Sequence, residues 1–535
     1  MAYLRVEKKK SGTYLRIVET FRKDGKVKQR TLHSLGKVED YPTNQLKGIA
    51  SKLLELAGVK MEDIVGKSFK EVNRLNYGYA LVIKKLWKMF DMDKLSRIIS
   101  LRTKTKFDWV NIVQLMIAER INDPVSKRQN YFHAKEYIGF NSEVNLQYFY
   151  RTLDILSDNV EELKEHFFKA QQNLFTQQLD VVFYDVTTLY FDSQKEEESS
   201  IRQKGYSKDG KATKTQVVLG LLVDKLRNPI TYQIYKGNTY EGHTMVDALN
   251  ALSKKYNIDQ CVVVADSAMI DKENRERLNE KGITYIIGDR LKGLPKDIKE
   301  GLVNREAHQP ISPDISPSIF SYTEISYQDR RIICTYSEKR ARKDAHNREK
   351  LLKKAAQWIA NPSKYTQIKK KGAGRYIKTD TEGSPKELNE EQIKADAKYD
   401  GFKAIATTTK LDASEILEKY KDLFEVEHSF RALKSQLRIR PMYHWTNKRI
   451  EGHVAMSFIA YTMLNYMRNL TKLQYKEIVR ALDKMQMSQI KEDESEEYVY
   501  MRASIDDTQK VINDKLKLVV PNDITPHSTI NQLFM

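Results

Sequence analysis

Only two cysteines occur in the 535 residues, Cys261 and Cys334. Each sits inside an apolar segment and neither belongs to a C-x-x-C pair, so neither a disulfide framework nor a zinc site is supported, and the usage fits a reducing cytoplasm. Long apolar runs are missing too. The N-terminus MAYLRVEKKK lacks the apolar core of a signal peptide, and the longest apolar stretch, Ala455 to Leu464, is far short of the ~20 residues that span a bilayer. No membrane partner is expected. There is no G-x-x-x-x-G-K-[ST] loop, and the GAG at Gly372 to Gly374 is too little for a dinucleotide fingerprint, so no nucleotide cofactor is expected. His428, His444 and His453 lack a ligand spacing such as H-E-x-x-H, and no internal repeat is visible.

What the chain has in excess is positive charge. Against 72 acidic residues stand 91 Lys and Arg, a net charge of +19. A polyanion is the expected partner, nucleic acid first, although a basic balance can also be a solvated surface. The hydrophobic content of 40% is ordinary for packed cores and the length allows three or four domains.

Periodicity divides the chain. Residues 1–42 contain extended segments around Asp24-Gly25, a basic β-hairpin. Residues 43–175 read as a helical module with amphipathic stretches such as YALVIKKLWKMF and FDWVNIVQLMIAERI. From Leu179 the pattern switches to β, β, β, α, β, α, β, which predicts a mixed sheet covered by helices over residues 176–290. Residues 291–400 look inserted: two strands, a charged helix and a polar loop. Residues 401–475 hold an extended segment, one long helix from Ala413 to Leu437, and a second apolar helix. Residues 476–535 carry no clear assignment, and dimerisation is the expectation for them.

LDVVFYDVTTLYFDS, Leu179 to Ser193, is a buried-strand sequence with a carboxylate, Asp185, in its middle. Burying an unpaired charge costs at least several kcal/mol, so the position calls for a basic partner, an edge, a metal or a catalytic task. Asp266 lies just past the apolar run of the fourth strand, where reactive groups collect in α/β sheets. In the long helix Glu427, Arg431 and Lys434 stand at i, i+4 and i+7 and share one face, with Tyr420 two turns upstream. Taken singly, Asp185 reads equally as a paired structural acid, Asp266 as a turn residue and Glu427 as a surface acid. Jointly they suit divalent cations, because two carboxylates ~4 Å apart repel by about 4 kcal/mol at an effective dielectric near 20. Mg²⁺ with oxygen ligands resolves that repulsion, and two such ions would stabilise both oxygens of an in-line phosphoryl transfer.

YDVTT at Asp185, ADSA at Asp266 and YKDLFEVEHSFRALK around Glu427 resemble the three acidic motifs of DDE insertion-sequence transposases. The last is similar to the Tyr-x2-Arg-x3-Glu-x6-Lys signature of the bacterial Tn-five and Tn-ten type enzymes, with Tyr420, Glu427 and Lys434 in place and Leu423 where that signature has Arg. RIRPMYHWTNKRIEGHVAMSFIAY resembles the branch named for insertion sequence sixteen-thirty-four. The resemblance implies an α/β RNase H-like core interrupted by a β-rich insertion domain, with an N-terminal basic hairpin and helical DNA-binding region. It implies two-metal DNA cleavage and joining of 3′ ends to target DNA by Asp185, Asp266 and Glu427, with two Mg²⁺ or Mn²⁺ ions. The implied partners are double-stranded DNA, as element ends and target, and a second copy of the chain in a synaptic homodimer, in a bacterial cytoplasm at the nucleoid. Lys434, Arg431, Tyr420 and Thr188 are the candidate DNA contacts. The alternatives are an inactive or regulatory DNA-binding protein and an RNase H-like nuclease without strand transfer.

Overall fold

A computed structural model describes residues 2–23, 26–58, 69–175, 181–192, 197, 199–205, 214–239, 244–246, 248–249, 262–266, 272–311, 321–361, 371–381, 383–492 and 498–534. The chain divides into two compact units, one of residues 1–74, 488–501 and 524–528, the other of the remainder.

In the first unit, β1 (Ala2–Lys9), β2 (Gly12–Lys23) and β3 (Lys26–Lys37) form an antiparallel three-stranded sheet. The basic hairpin is thus extended by β1, whose EKKK end hid a full ladder against β2; the Asp24-Gly25 turn lies outside the described residues. Helix α1 (Thr43–Leu56) follows. Phe69–Asn76, read above as part of a helical module, is instead strand β4 and pairs with the C-terminal strands β17 (Gln486–Glu492), β18 (Tyr498–Arg502) and β19 (Ile524–Pro526) in the order β19-β18-β17-β4. FKEVNRLN is short and ambiguous on its own, and pairing with residues four hundred positions away decides its state.

The second unit opens with helices, among them α2 (Trp109–Asn122) and α3 (Leu146–Asp158), whose apolar residues are largely buried. A ten-stranded sheet follows. Its central strands are β5 (Val181–Tyr190), β9 (Val262–Ala265) and β10 (Tyr285–Asp289), mutually parallel. Beyond β5 run β7 (Thr215–Val223), with β6 (Gln203–Lys204) and β8 (Pro229–Lys236) paired to it; beyond β10 runs β16 (Phe402–Thr407), antiparallel. Parallel neighbours require long crossovers, which explains the buried, unalternating strands of this region.

The segment read as inserted begins differently from that expectation. Its strands β11 (Gln309–Pro310), β12 (Ser321–Tyr327) and β13 (Arg330–Tyr336) are the outer strands of the same sheet, since β13 pairs with β16 over six residues. Helix α4 (Glu338–Ala360) and the small hairpin β14 (Ile377–Thr379) and β15 (Pro385–Leu388) complete the segment.

The predicted single helix after β16 is broken. Helix α5 (Ala413–Lys421) stops at Asp422, α6 (Leu423–Arg431) restarts, and Ala432–Gln436 widens into a π-helical turn. Helix α7 (Asn447–Thr471) then runs through the core, capped by the Thr446 hydroxyl accepting from the Arg449 amide. It crosses α3 at Gly452, where any side chain would collide with the backbone carbonyl of Leu153. One face of the sheet is closed by a core of Val182, Tyr184, Val186, Val263, Ala265, Tyr285 and Ile287 with Met245, Leu249 and Leu278. The other face carries α5 to α7.

Candidate active site

Strand β5 is buried at every interior position except Asp185, which is half-buried. That answers the carboxylate in the hydrophobic run: the strand leaves one opening and the acid occupies it. The amide of Val186 donates to Asp185 Oδ1 at 2.7 Å. Because Tyr184 pairs with Ala265 across parallel strands, Asp185 and Asp266 follow next in register, about one strand spacing (~4.8 Å) apart. Tyr184 and Ala265 belong to the closed core, so by alternation both aspartates point to the opposite face. Asp266 stands exposed at the carboxyl end of β9.

The same face receives the C-terminal helices. Asp185 is opposite Leu221 and Leu221 opposite Tyr232, whose ring lies 5.1 Å from that of Phe458 in α7. Helix α5 packs on β10 and α6 packs on β5. Glu427 is exposed on α6. Lys403 feels both it and Asp266. On β16 this lysine has the parity of Ile405, which faces Gly288, the residue in register with Asp266; its ammonium lies 4.3 Å from the Tyr420 ring centroid. Burial and the charge of Arg340 depress the Lys403 ammonium, while Asp266 and Glu427 act on it in the opposite sense, so both acids are within electrostatic range of one lysine. The Tyr420 hydroxyl is buried with no hydrogen-bond partner among the described residues, and burial, together with the negative charge of Asp266, raises its pKa.

The remaining predicted residues are distributed less uniformly. Arg431 is exposed one turn beyond Glu427. Lys434 falls inside the π-turn, which interrupts the 3.6-residue spacing that would align it with Glu427, and its ammonium lies 5.5 Å from the Phe430 ring. Thr188 is buried and three positions from Asp185, hence on the other face of β5, where its carbonyl accepts from Arg440 at 3.4 Å. His428 is beside Glu427 with its pKa lowered by burial, then by Arg227 and Arg431. Among the described residues no three His, Cys, Asp or Glu side chains lie close enough to hold a metal ion as they stand. The donor set itself, three carboxylates and no nitrogen or sulfur, suits a hard cation such as Mg²⁺.

Residues 176–463, over half the chain, match the transposase DDE domain family, and residues 4–58 match the N-terminal domain of IS1634 family transposases. The chain is an IS1634-family DDE transposase. No curated protein matches the transposase. Among solved structures, a piggyBac transposase synaptic complex with hairpin DNA is 12% identical, with 71% of each chain covered and a TM-score of 0.39. A Mos1 transposase paired-end complex with the left transposon end is 13% identical over 34% of the transposase and 58% of that chain, with a TM-score of 0.15, and a Mos1 mariner paired-end complex with Mn is 15% identical with a TM-score of 0.14. Among the described residues of the transposase no helix is long and apolar enough to cross a membrane.

Two residues of the site escaped the sequence reading, Lys403 and Arg340. A lysine in the buried run GFKAIATT is the same signal as Asp185 and was there to be used. Arg340, on α4, is legible only once α4 is placed beside the sheet. Both also line a cavity of about 520 Å³ with Arg290, Lys292, Arg348 and Arg375. Two of its acids are tied down: Arg348 holds Asp400 at 2.5 Å and Lys292 holds Asp396 at 2.6 Å.

Proposed function

We propose that this transposase binds the ends of its insertion sequence, hydrolyses a phosphodiester there, and joins the freed 3′ ends to target DNA from an RNase H-like core. The observation that carries the reading is the register: Asp185 and Asp266 emerge side by side on one face of two parallel strands, under the helix that bears Glu427. Asp185, Asp266 and Glu427 would hold two Mg²⁺ or Mn²⁺ ions, which when bound supply Lewis-acid stabilisation of the attacking and leaving oxygens.

This chain's own groups do the rest. Lys403 and Arg340 orient the scissile phosphate and offset its charge in a partly dry setting where such contacts are strengthened. A water oxygen bonds to phosphorus, the bond to the 3′ oxygen breaks and that oxygen takes up a proton, giving a 3′ hydroxyl and a 5′ phosphate; the 3′ hydroxyl then bonds to a target phosphorus as the target's own 3′ oxygen leaves and takes up the proton released. Arg431, Lys434 and Tyr420 flank the strand, whereas Thr188, on the opposite face, is better read as structural. A synaptic homodimer and nucleoid location belong to the same reading.

The test uses full-length protein, Mg²⁺ or Mn²⁺, and a supercoiled plasmid carrying the DNA that borders the gene. Wild type should cut at the borders and form joined products, whereas Asp185→Asn should bind and do neither. Cleavage without any joined product would favour the simple nuclease, and binding without cleavage by wild type the regulatory protein.

A further inference from the structure

The three-stranded sheet of the first unit has almost no core. Of the residues in β1, β2 and β3, only Val18 is buried. Apolar side chains stand exposed on both sides, Leu4 and Val6 at 56% and 58% on one, Tyr3 and Val27 at 42% and 62% on the other. Such a sheet is marginal alone and wants a partner. Residues 1–42 contain eleven Lys and Arg against five Asp and Glu, so the complementary partner is a polyanion.

The pairing register sorts the side chains into two faces. Tyr3 with Val18, Arg5 with Arg16, Thr20 with Gln29, Val18 with Thr31 and Arg22 with Val27 share one. Leu4 with Ile17, Val6 with Leu15 and Phe21 with Lys28 share the other. The first face carries the groups that read base edges: guanidinium for guanine, amide for adenine, threonine methyl for thymine. It is also partly organised, with Arg5 Nη1 donating to Gln29 Oε1 at 3.0 Å and Gln29 Nε2 donating to the Tyr3 hydroxyl at 2.7 Å. The second face mixes aliphatic side chains with Phe21, Lys28 and an Arg30 held at 2.7 Å by Glu19, while on the first face Glu7 holds Arg16 at 3.3 Å and leaves Arg5 and Arg22 to the reading surface. Three strands are about 10 Å across, and the major groove is about 12 Å wide.

We propose that the β1–β3 sheet reads duplex DNA by laying the face of Arg5, Arg22 and Gln29 into the major groove. This rests on the end-binding reading above and names the surface that performs it.

The test measures binding of full-length protein in EDTA to a duplex taken from the DNA bordering the gene and to a shuffled duplex of equal composition. Wild type should prefer the border duplex, and guanine N7 methylation, which blocks the major groove, should remove the preference. Arg5→Ala, Arg22→Ala and Gln29→Ala should each lower the preference about 10-fold while keeping salt-sensitive binding to the shuffled duplex. Leu4→Ser and Val6→Ser, on the other face, should keep it. Arg5→Lys, which preserves charge and strand but not the fork, should lose preference at an unchanged melting temperature, separating recognition from misfolding. The proposal is overturned if the Arg5, Arg22 and Gln29 variants retain the preference, or if only the Leu4 and Val6 variants lose it. Absence of any preference in wild type overturns the end-binding reading itself, and the sheet assignment with it.

Discussion

A lysine and an aspartate in two strands pose the same problem, and their answers meet. Lys403 and Asp185 are each a charge in a buried run, and both project from one face of the sheet. If Lys403 offsets phosphate charge, Lys403→Ala should lower cleavage about 10²-fold with little change in end affinity, Lys403→Arg should recover part of it, and single-turnover cleavage beside a binding titration will show which. His444 makes a different prediction. It is 8% exposed, and burial, followed by the charges of Lys127, Arg120 and Arg449, lowers its pKa to about 3, with the His453 ring 4.9 Å away. The folded chain keeps this imidazole neutral while the unfolded chain protonates it near pH 6.5, so its stabilising effect is whole above about pH 6.5 and is lost as pH falls towards 3, by about 1.4 kcal/mol per unit. His444→Gln should therefore flatten the fall of melting temperature between pH 7 and pH 4. Acids in strands were legible from residue type alone; Lys403 carried the same mark, but only the pairing register shows that it shares a face with Asp185.

The helix that carries Glu427 shows what periodicity can and cannot supply. Its existence and its apolar stripe follow from the spacing, but the break at Asp422 and the π-turn at Ala432–Gln436 do not, because they answer to contacts made by other elements. One such contact is Arg120 of α2, 4% exposed, which donates through Nη1 to the carbonyls of Leu437 and Arg438 at 3.1 and 3.2 Å. A cation on the last carbonyls complements the negative end of the helix dipole and satisfies orphaned acceptors. Arg120→Ala should cost about 2 to 4 kcal/mol in denaturant unfolding, by stranding both carbonyls. Where α7 crosses α3, Gly452→Ala should destabilise by about 1 to 3 kcal/mol, since a methyl group there must displace the Leu153 backbone. The outer strands β12 and β13 were visible as strands, yet their membership of the main sheet depends on pairing with β16, about seventy residues later, which local pattern does not encode.

At the scale of the molecule the net charge of +19 predicts that binding to any duplex weakens linearly on a logarithmic salt axis, and titration between 50 and 200 mM NaCl checks it. Charge was legible from composition; the division into two units was not, because the first is assembled from both ends of the chain. That assembly has a consequence for how the protein is made. Strand β4 is synthesised before any of the acidic triad, but its sheet partners β17 to β19 are synthesised after all of it, so its sheet cannot close until translation has passed Pro526. A gene copy with a late stop codon would encode Asp185, Asp266 and Glu427 intact and still yield a chain with an open β4 edge, a substrate for proteolysis and aggregation. Strands β17 to β19 thus act as a proof that translation has passed the acidic triad.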